Sequence, residues 1–246
     1  MDRVALVTGA DTGIGWAIAQ RLQADGFALA FHTRDEEDDA RERFDEIAAR
    51  GRAEWVPGDV SDPEACERIV REAVEKLGRI DVLVNNAGVT SAKPALDLTS
   101  DDFDRIFTID VRGAFLLARS AALSMKASGG GAIVNITSVH EHIPRPGFAL
   151  YAAGKAALGM LTRSLALELA ADGIRVNAVA PGAIATERNE EADALVSEIP
   201  LGRPGEPEEV AGLVSYLAGD EARYVSGASI LIDGAMAQQV VQKPAW

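Results

Sequence analysis

The spacing of Tyr151 and Lys155 suits proton transfer. The two residues are four positions apart in an apolar-periodic stretch, so a helix there would place both side chains on one face, about 6 Å apart. An ammonium beside a phenol favours the phenolate, and moving a phenol pKa from about 10 to near 7 takes roughly 4 kcal/mol. Ser138 ends an upstream apolar run, where its hydroxyl could hold the same substrate oxygen. The three residues predict acid–base chemistry at a carbinol or carbonyl oxygen, although a tyrosine and a lysine at this spacing also occur on helix faces without function.

A glycine-rich turn lies close to the N-terminus. Residues 8–15 read T-G-A-D-T-G-I-G, follow the apolar run 3–7 and open a helical pattern. Glycines in such a turn let backbone N–H groups and the helix dipole approach a pyrophosphate that a β-carbon would exclude. The turn alone is a weak signal, because a tight loop that packs a helix on a sheet has the same pattern. It predicts a dinucleotide site that contains Gly9, Asp11, Thr12, Gly13, Ile14 and Gly15.

Length and composition indicate one α/β domain. The 246 residues are 48% hydrophobic, which is enough for a buried sheet with helices on both faces. The single cysteine, Cys66, excludes an internal disulfide and fits a reducing, cytoplasmic setting. We expect no membrane span and no signal peptide, because no apolar run is long enough to cross a bilayer and the N-terminus enters a strand almost at once. The formal charge of −14 disfavours nucleic acid and anionic membranes as partners.

Short apolar runs alternate with helical patterns along the chain. Strands separated by helix-length segments require right-handed crossovers, so the pattern predicts an α/β, doubly wound Rossmann fold with a seven-stranded parallel sheet and helices on both faces. Ligands of such sheets bind beyond the carboxyl ends of the strands. The predicted strands are 3–7, 27–31, 53–56, 81–84, 132–136, 175–179 and 229–232.

Helix boundaries and one long loop are also readable. Residues 61–64 have capping-box spacing at the start of a helix that ends at Gly78, and residues 99–102 begin a long helix. Residues 183–207 interrupt the alternation of strands and helices and are acidic and loop-like. They predict a substrate lid, with a plain surface excursion as the alternative.

Further motifs extend the pattern over the whole chain. N-N-A-G follows the fourth predicted strand at 85–88, and Pro181-Gly182 follows the sixth. With the glycine turn, Ser138 and the Tyr151 and Lys155 pair, these motifs resemble the short-chain dehydrogenase/reductase family. The resemblance implies that Tyr151 is the general acid/base, that Ser138 positions the substrate oxygen, and that Lys155 binds the nicotinamide ribose and favours the phenolate. It implies a cofactor cleft completed by Asp59, Val60, Asn86, Ala87, Gly88, Pro181, Gly182, Ile184 and Thr186.

Asp110 departs from the family pattern, which has a catalytic asparagine at this point of the long helix. In the family that asparagine holds a water leading from the lysine to solvent. A carboxylate can accept a hydrogen bond from such a water but cannot donate as an amide does. We expect Asp110 to preserve the relay as a catalytic residue, with an altered pH dependence.

The end of the second predicted strand bears on the choice of cofactor. Enzymes that use NAD usually place an acid there to hold the ribose 2′-hydroxyl, and the matching residue is Thr33. Arg34 next to it suits a 2′-phosphate. We predict that NADP(H) is preferred and NAD(H) usable, although the acidic residues 35–37 could pair with Arg34 instead.

The segment after Ser138 bears on the substrate. S-V-H-E at 138–141 and P-G-A-I at 181–184 are similar to bacterial glucose 1-dehydrogenases and related sugar dehydrogenases. His140 and Glu141 could bond the hydroxyls of a sugar or polyol, or belong to an exposed polar loop. We expect no metal, because no compact set of cysteine or histidine ligands accompanies His140 and His142.

Taken together, the motifs predict an oxidoreductase that interconverts a secondary alcohol or sugar hemiacetal with its carbonyl. Among such enzymes they favour a sugar or polyol dehydrogenase. A 3-oxoacyl-carrier-protein reductase or general ketone reductase shares the motifs, but the acidic charge disfavours an acidic carrier as partner. The non-enzymatic alternative is a dinucleotide-binding sensor, for which Asp110 leaves room. The resemblance implies a homotetramer, and the tail 240–246 either reaches a neighbouring subunit or is disordered.

Overall fold

Seven parallel strands form one sheet in the part of the chain that the computed structural model describes, residues 2–35, 37–187 and 192–238. The spatial order is β3-β2-β1-β4-β5-β6-β7, so the winding reverses between β1 and β4. In a doubly wound sheet this reversal opens a crevice at the carboxyl ends of the strands. The strands are β1 Val4–Thr8, β2 Ala28–His32, β3 Ala53–Trp55, β4 Val82–Asn85, β5 Gly131–Ile136, β6 Ile174–Pro181 and β7 Ser229–Ile232.

Helices connect successive strands and cover the sheet. The predicted doubly wound fold with seven parallel strands is confirmed, and each strand lies within two residues of its predicted bounds at both ends. The helices are α1 Gly13–Ala24, α2 Asp38–Arg50, α3 Pro63–Leu77, α4 Ser100–Ile106, α5 Ala114–Ala127, α6 Ala149–Leu169 and α7 Pro207–Ala218.

Alternating residues of the strands divide the hydrophobic core into two layers. Ala5 and Val7 of β1 face the layer that contains α1 and α7, whereas Val4 and Leu6 face the layer that contains α3 and α5. All five residues of β1 and of β2 are buried. A strand buried on both faces is mostly apolar, which is why residues 4–7 of β1 form a continuous hydrophobic run, and the buried Thr8 at its end has hydrogen-bond partners.

The start of α3 differs from its prediction. Asp62 is the N-cap residue, because its carboxylate accepts a hydrogen bond from the backbone N–H of Glu64 at 3.0 Å and Pro63 occupies the first helical position. The capping-box spacing of residues 61–64 predicted Ser61 as the N-cap, which is wrong: the N–H of Ser61 donates to the Asp59 carboxylate at 2.7 Å. Serine and aspartate are both good N-cap residues. Because the fixed φ of Pro63 suits the first helical position, the residue directly before it, Asp62, becomes the N-cap.

The predicted long helix after Thr99 is interrupted by a wider turn. Thr99 and Asp102 form the expected capping box at the start of α4, but residues Phe107–Gly113 are π-helical before α5 continues. A β-carbon at Gly113 would lie 2.5 Å from the carbonyl oxygen of Val60, so glycine permits this turn to approach the loop after β3. The turn holds Asp110, so it affects the geometry of the site.

The predicted lid has some order of its own. Ile184 and Gly205 form a parallel β-bridge, and residues Ala192–Glu198 form 3₁₀ turns. Residues 188–191 of this segment, and the tail 240–246, lie outside the described residues. Among the residues described, no helix combines the length and hydrophobicity that crossing a membrane would take.

Candidate active site

A cavity of about 840 Å³ opens at the carboxyl edge of the sheet. It extends from the glycine-rich turn after β1, past the ends of β4, β5 and β6, to the first turn of α6. This is the crevice at which a doubly wound sheet binds ligands. The sequence-predicted residues that line it are Gly9, Thr12, Gly13, Ile14, Asn86, Ala87, Gly88, Ser138, His140, Tyr151, Lys155, Pro181, Gly182, Ile184 and Thr186.

The glycine-rich turn is built to bring backbone close to a ligand. Gly9 and Gly13 have φ of +60° and +52°, which glycine adopts without strain. A β-carbon at Gly15 would lie 1.9 Å from the carbonyl oxygen of Gly9. Thr12, the N-cap of α1, makes no side-chain cap, so the first N–H groups of that helix are left for a ligand. These features fit the pyrophosphate of a dinucleotide.

Asn86 and Thr8 fasten the turn to the end of β4. The Asn86 side-chain amide donates to the carbonyl oxygens of Thr8 and Gly9 at 3.0 and 2.9 Å. The Thr8 hydroxyl accepts the backbone N–H groups of Asn86 and Ala87, both at 3.0 Å. Asn86 therefore stabilises the glycine-rich turn in addition to lining the predicted cofactor cleft.

Lys155 is a buried cation beside the tyrosine. Its Nζ lies 5.6 Å from the centre of the Tyr151 ring and donates to the carbonyl oxygen of Ile136 at 3.3 Å. Burial lowers the pKa of this lysine, but the carboxylate of Asp110 and then Tyr151 more than offset that effect, so the pKa lies above its ordinary value. The ammonium is thus charged at neutral pH and positioned to stabilise a phenolate.

Asp110 forms an ion pair with Lys155 and is not among the residues that line the cavity. Its Oδ2 lies 3.0 Å from Lys155 Nζ, and its Oδ1 accepts the backbone N–H of Val89 at 2.9 Å. Both side chains are buried. In this position the carboxylate compensates the charge of the lysine and also anchors the segment after β4, a second role that the sequence did not indicate.

The segment after β5 presents Ser138 and His140 to the cavity. The Ser138 oxygen accepts the N–H of His140 at 3.1 Å, which leaves the hydroxyl hydrogen free to donate to a substrate oxygen. The His140 ring lies edge-on to Tyr151, with 6.1 Å between ring centres. The side chains of these three residues therefore meet at one end of the cavity.

Glu141 is not part of this cavity, so its interpretation as a substrate contact needs correction. Its side chain is 3% exposed and lies between α6 and β7, where Oε2 accepts the Ser229 hydroxyl at 2.8 Å and Oε1 lies 3.4 Å from Arg163. Gly159 allows this approach, because a β-carbon there would lie 2.1 Å from Oε1. The turn after Ser138 directs the consecutive side chains of His140 and Glu141 to different sides.

Thr33 and Arg34, the residues predicted to face the ribose 2′ position, do not line the cavity. The Thr33 side chain is buried; its hydroxyl donates to the Asp35 carbonyl and accepts the Trp55 indole N–H, both at 2.8 Å. Arg34 is exposed and bonds the Asp35 carboxylate at 2.5 Å, the pairing that its acidic neighbours suggested. The remaining predicted residues outside the lining are Asp110, described above, and Asp11, Gly15, Asp59 and Val60; Asp11 lines a neighbouring cavity beside α2.

His32 supports the glycine-rich turn and was missed from the sequence. Its Nδ1 accepts the N–H of Gly9 at 3.2 Å and its Nε2–H donates to the carbonyl of Gly58 at 2.9 Å. Burial lowers the pKa of this imidazole to about 4, so it is neutral at physiological pH, as this pair of bonds requires. The signal in the sequence that could have identified it is that His32 is a polar residue at the end of an otherwise apolar strand.

Comparisons with known proteins agree with this geometry. A family model described as enoyl-(acyl carrier protein) reductase matches residues 9–237. The structure of acetoin dehydrogenase from Enterobacter cloacae is 45% identical with a TM-score of 0.93, and the match covers 100% of this chain and 99% of that one.

Two further relatives bear on substrate and cofactor. Glucose 1-dehydrogenase of Gluconobacter oxydans is 38% identical over 241 residues, or 94% of this chain and 90% of the relative. A blue fluorescent protein from a metagenomic library, solved in complex with NADPH, is 42% identical with a TM-score of 0.90 over 96% of this chain and 98% of that one. The family match over most of the chain and these full-length similarities show that this chain belongs to the short-chain dehydrogenase/reductase family of NAD(P)-dependent oxidoreductases.

Proposed function

We propose that this protein interconverts a small secondary alcohol, polyol or sugar hemiacetal with the corresponding carbonyl compound, with Tyr151 as general acid/base. The observation that carries the proposal is the buried Lys155 ammonium, 5.6 Å from the Tyr151 ring in a cavity that also contains Ser138. A bound nicotinamide cofactor would accept or supply the hydride. In the oxidative direction the Tyr151 phenolate takes the carbinol proton, and the Ser138 hydroxyl donates to the substrate oxygen.

The substrate end of the cavity offers both apolar and polar contacts to a small alcohol or carbonyl compound. Its walls combine the apolar side chains of Val139, Phe148 and Met236 with the polar groups of His140 and Arg145. With Glu141 turned away, fewer polar groups remain to hold a full set of sugar hydroxyls. The likeness to acetoin dehydrogenase therefore supports short hydroxy ketones and diols, and the likeness to glucose 1-dehydrogenase supports sugars as the second candidate.

A substrate panel with matched tyrosine variants tests the reaction. Formation of reduced cofactor is measured on acetoin-type hydroxy ketones and diols, aldoses and simple secondary alcohols, with NADP and NAD side by side. Tyr151→Phe should reduce turnover about a hundred- to ten-thousandfold while cofactor binding is retained. The control Tyr224→Phe removes a hydroxyl from a fully exposed tyrosine and should leave turnover unchanged. Turnover by Tyr151→Phe at the wild-type rate would overturn the proposed role.

We further propose NADP(H) as the preferred cofactor, with NAD(H) usable. Arg34 is exposed at the end of β2 and bonds only a solvent-exposed carboxylate among the described residues, so a 2′-phosphate could displace Asp35 from it. The relative solved with NADPH supports the same choice. Arg34→Ser should lower kcat/KM for NADP about tenfold and leave that for NAD within threefold. Arg71→Ser, which also removes an exposed ion pair, is the control, and equal losses with both cofactors would contradict the proposal.

The remaining proposals concern lid and assembly. Residues 183–207 act as a substrate lid: Thr186 lies beside the glycine-rich turn, where a β-carbon at Gly13 would approach its Cγ2 to 3.2 Å, and the Glu187 carboxylate lies 2.7 Å from Arg43 of α2. We also propose a cytoplasmic homotetramer, supported by the exposed Leu123, Met160 and Leu167 on α5 and α6. Light scattering after size-exclusion chromatography measures the assembly, and any mass other than that of four chains would contradict it.

A further inference from the structure

The His140 ring has one nitrogen committed to the protein and one left over. Nδ1 lies 3.1 Å from the carbonyl oxygen of Ile143. A carbonyl oxygen only accepts, so Nδ1 must carry the hydrogen and donate it. No described residue forms a hydrogen bond with Nε2. In the neutral ring with Nδ1 protonated, Nε2 is an acceptor, and it belongs to a side chain that lines the cavity.

The surroundings of His140 keep the imidazole neutral. Burial lowers its pKa, the Ile143 carbonyl opposes this in part, and the Arg145 guanidinium lowers it further. The ring is also fixed in orientation, since it packs on Phe148 with 5.3 Å between ring centres and meets Tyr151 edge-on at 78°. Its backbone N–H is bonded to Ser138 Oγ. A neutral, oriented acceptor therefore stands next to both residues that hold the reacting oxygen.

We propose that His140 Nε2 accepts a hydrogen bond from a second hydroxyl of the substrate, on the carbon next to the reacting carbon. Oxygens on neighbouring carbons lie within about one hydrogen-bond length of each other, so a substrate whose first oxygen is held by Tyr151 and Ser138 brings the second toward His140. The preferred substrates are thus vicinal diols, whose oxidation gives α-hydroxy ketones, and sugars oxidised beside a free hydroxyl. This inference rests on the proposed function and narrows it to a chemical class.

The test uses two alcohols that differ by one hydroxyl. Initial rates are measured with butane-2,3-diol and butan-2-ol, using NADP and NAD, for the wild-type enzyme, His140→Phe and His140→Gln. Phenylalanine retains the packing on Phe148 and removes the acceptor, whereas glutamine retains an acceptor oxygen. We expect His140→Phe to lower the ratio of kcat/KM for the diol to kcat/KM for butan-2-ol about ten- to a hundredfold, with partial recovery of that ratio in His140→Gln.

Three results would overturn the inference. Equal losses on both alcohols in His140→Phe would mean that the ring only supports Ser138 and Tyr151. A preference for the diol that survives in His140→Phe would place recognition of the second hydroxyl elsewhere. Absence of turnover by the wild-type enzyme, with cofactor bound, of these two alcohols and of the aldoses in the substrate panel would overturn the proposed function itself and the His140 role with it.

Discussion

Replacing Asp110 with the asparagine usual in the family should shift the pH dependence of oxidation. Asp110 Oδ2 lies 3.0 Å from Lys155 Nζ, which lies 5.6 Å from the Tyr151 ring centre, so the carboxylate is within about 9 Å of the ring. Two unit charges at about 9 Å interact by about 2 kcal/mol at an effective dielectric constant of 20, which corresponds to somewhat more than one pH unit. Removing this negative charge in the Asp110→Asn variant should therefore have a measurable effect on the pH dependence.

The direction of the shift follows from the charges. A carboxylate near a phenol disfavours the negative phenolate, so its removal favours the ionised tyrosine and leaves the Lys155 ammonium uncompensated. In the oxidative direction activity needs the phenolate and falls as the pH is lowered. We expect the acidic limb of the profile of log kcat/KM against pH to move about one unit toward lower pH in Asp110→Asn.

The assay follows formation of reduced cofactor from pH 5 to 10 at constant ionic strength with saturating cofactor. Asp104→Asn is the matched control, because it makes the same change of charge at an exposed position on α4 and should leave the profile in place. An asparagine variant with an unshifted profile, or one shifted toward higher pH, would refute the electrostatic reasoning. A loss of activity without a change of profile would leave only the anchoring of Val89 as the role of this residue.

Three further substitutions test the architecture of the site. Gly15→Ala should weaken NADP binding at least tenfold by calorimetry, because the added carbon would lie 1.9 Å from the Gly9 carbonyl oxygen and must displace the turn; unchanged affinity would contradict this. Asn135→Ala removes two buried side-chain hydrogen bonds and should lower the free energy of unfolding by about 2–3 kcal/mol in urea titrations; a change below about 0.5 kcal/mol would refute the estimate. Glu141→Ala should raise KM for the substrate several-fold with a smaller effect on kcat, since it frees the segment after β5 from Ser229, whereas Glu141→Gln should retain the wild-type KM; equal effects of the two variants would contradict an anchoring role.

Local pattern was enough for the elements and the principal motifs. Parallel strands buried on both faces are mostly apolar, so runs such as residues 3–7 were visible without knowledge of their neighbours. Tyr151 and Lys155 are on one helix, where a spacing of four residues fixes their relation, and the glycine-rich turn is contiguous in the chain. Because these features depend on the local backbone alone, the sequence by itself determined the fold class, the place of the glycine-rich turn and the proximity of Tyr151 and Lys155.

Contacts between distant segments were decided only by the tertiary structure. The pairing of Asp110 with Lys155 depends on a π-helical turn and on the packing of α6 against it, and the role of His32 depends on the loops that contain Gly9 and Gly58. From the sequence, His140 and Glu141 were likewise both predicted to contact the substrate. A short turn directs one into the cavity and the other toward β7, because the direction of a side chain follows from the backbone dihedrals and from the space that surrounding elements leave.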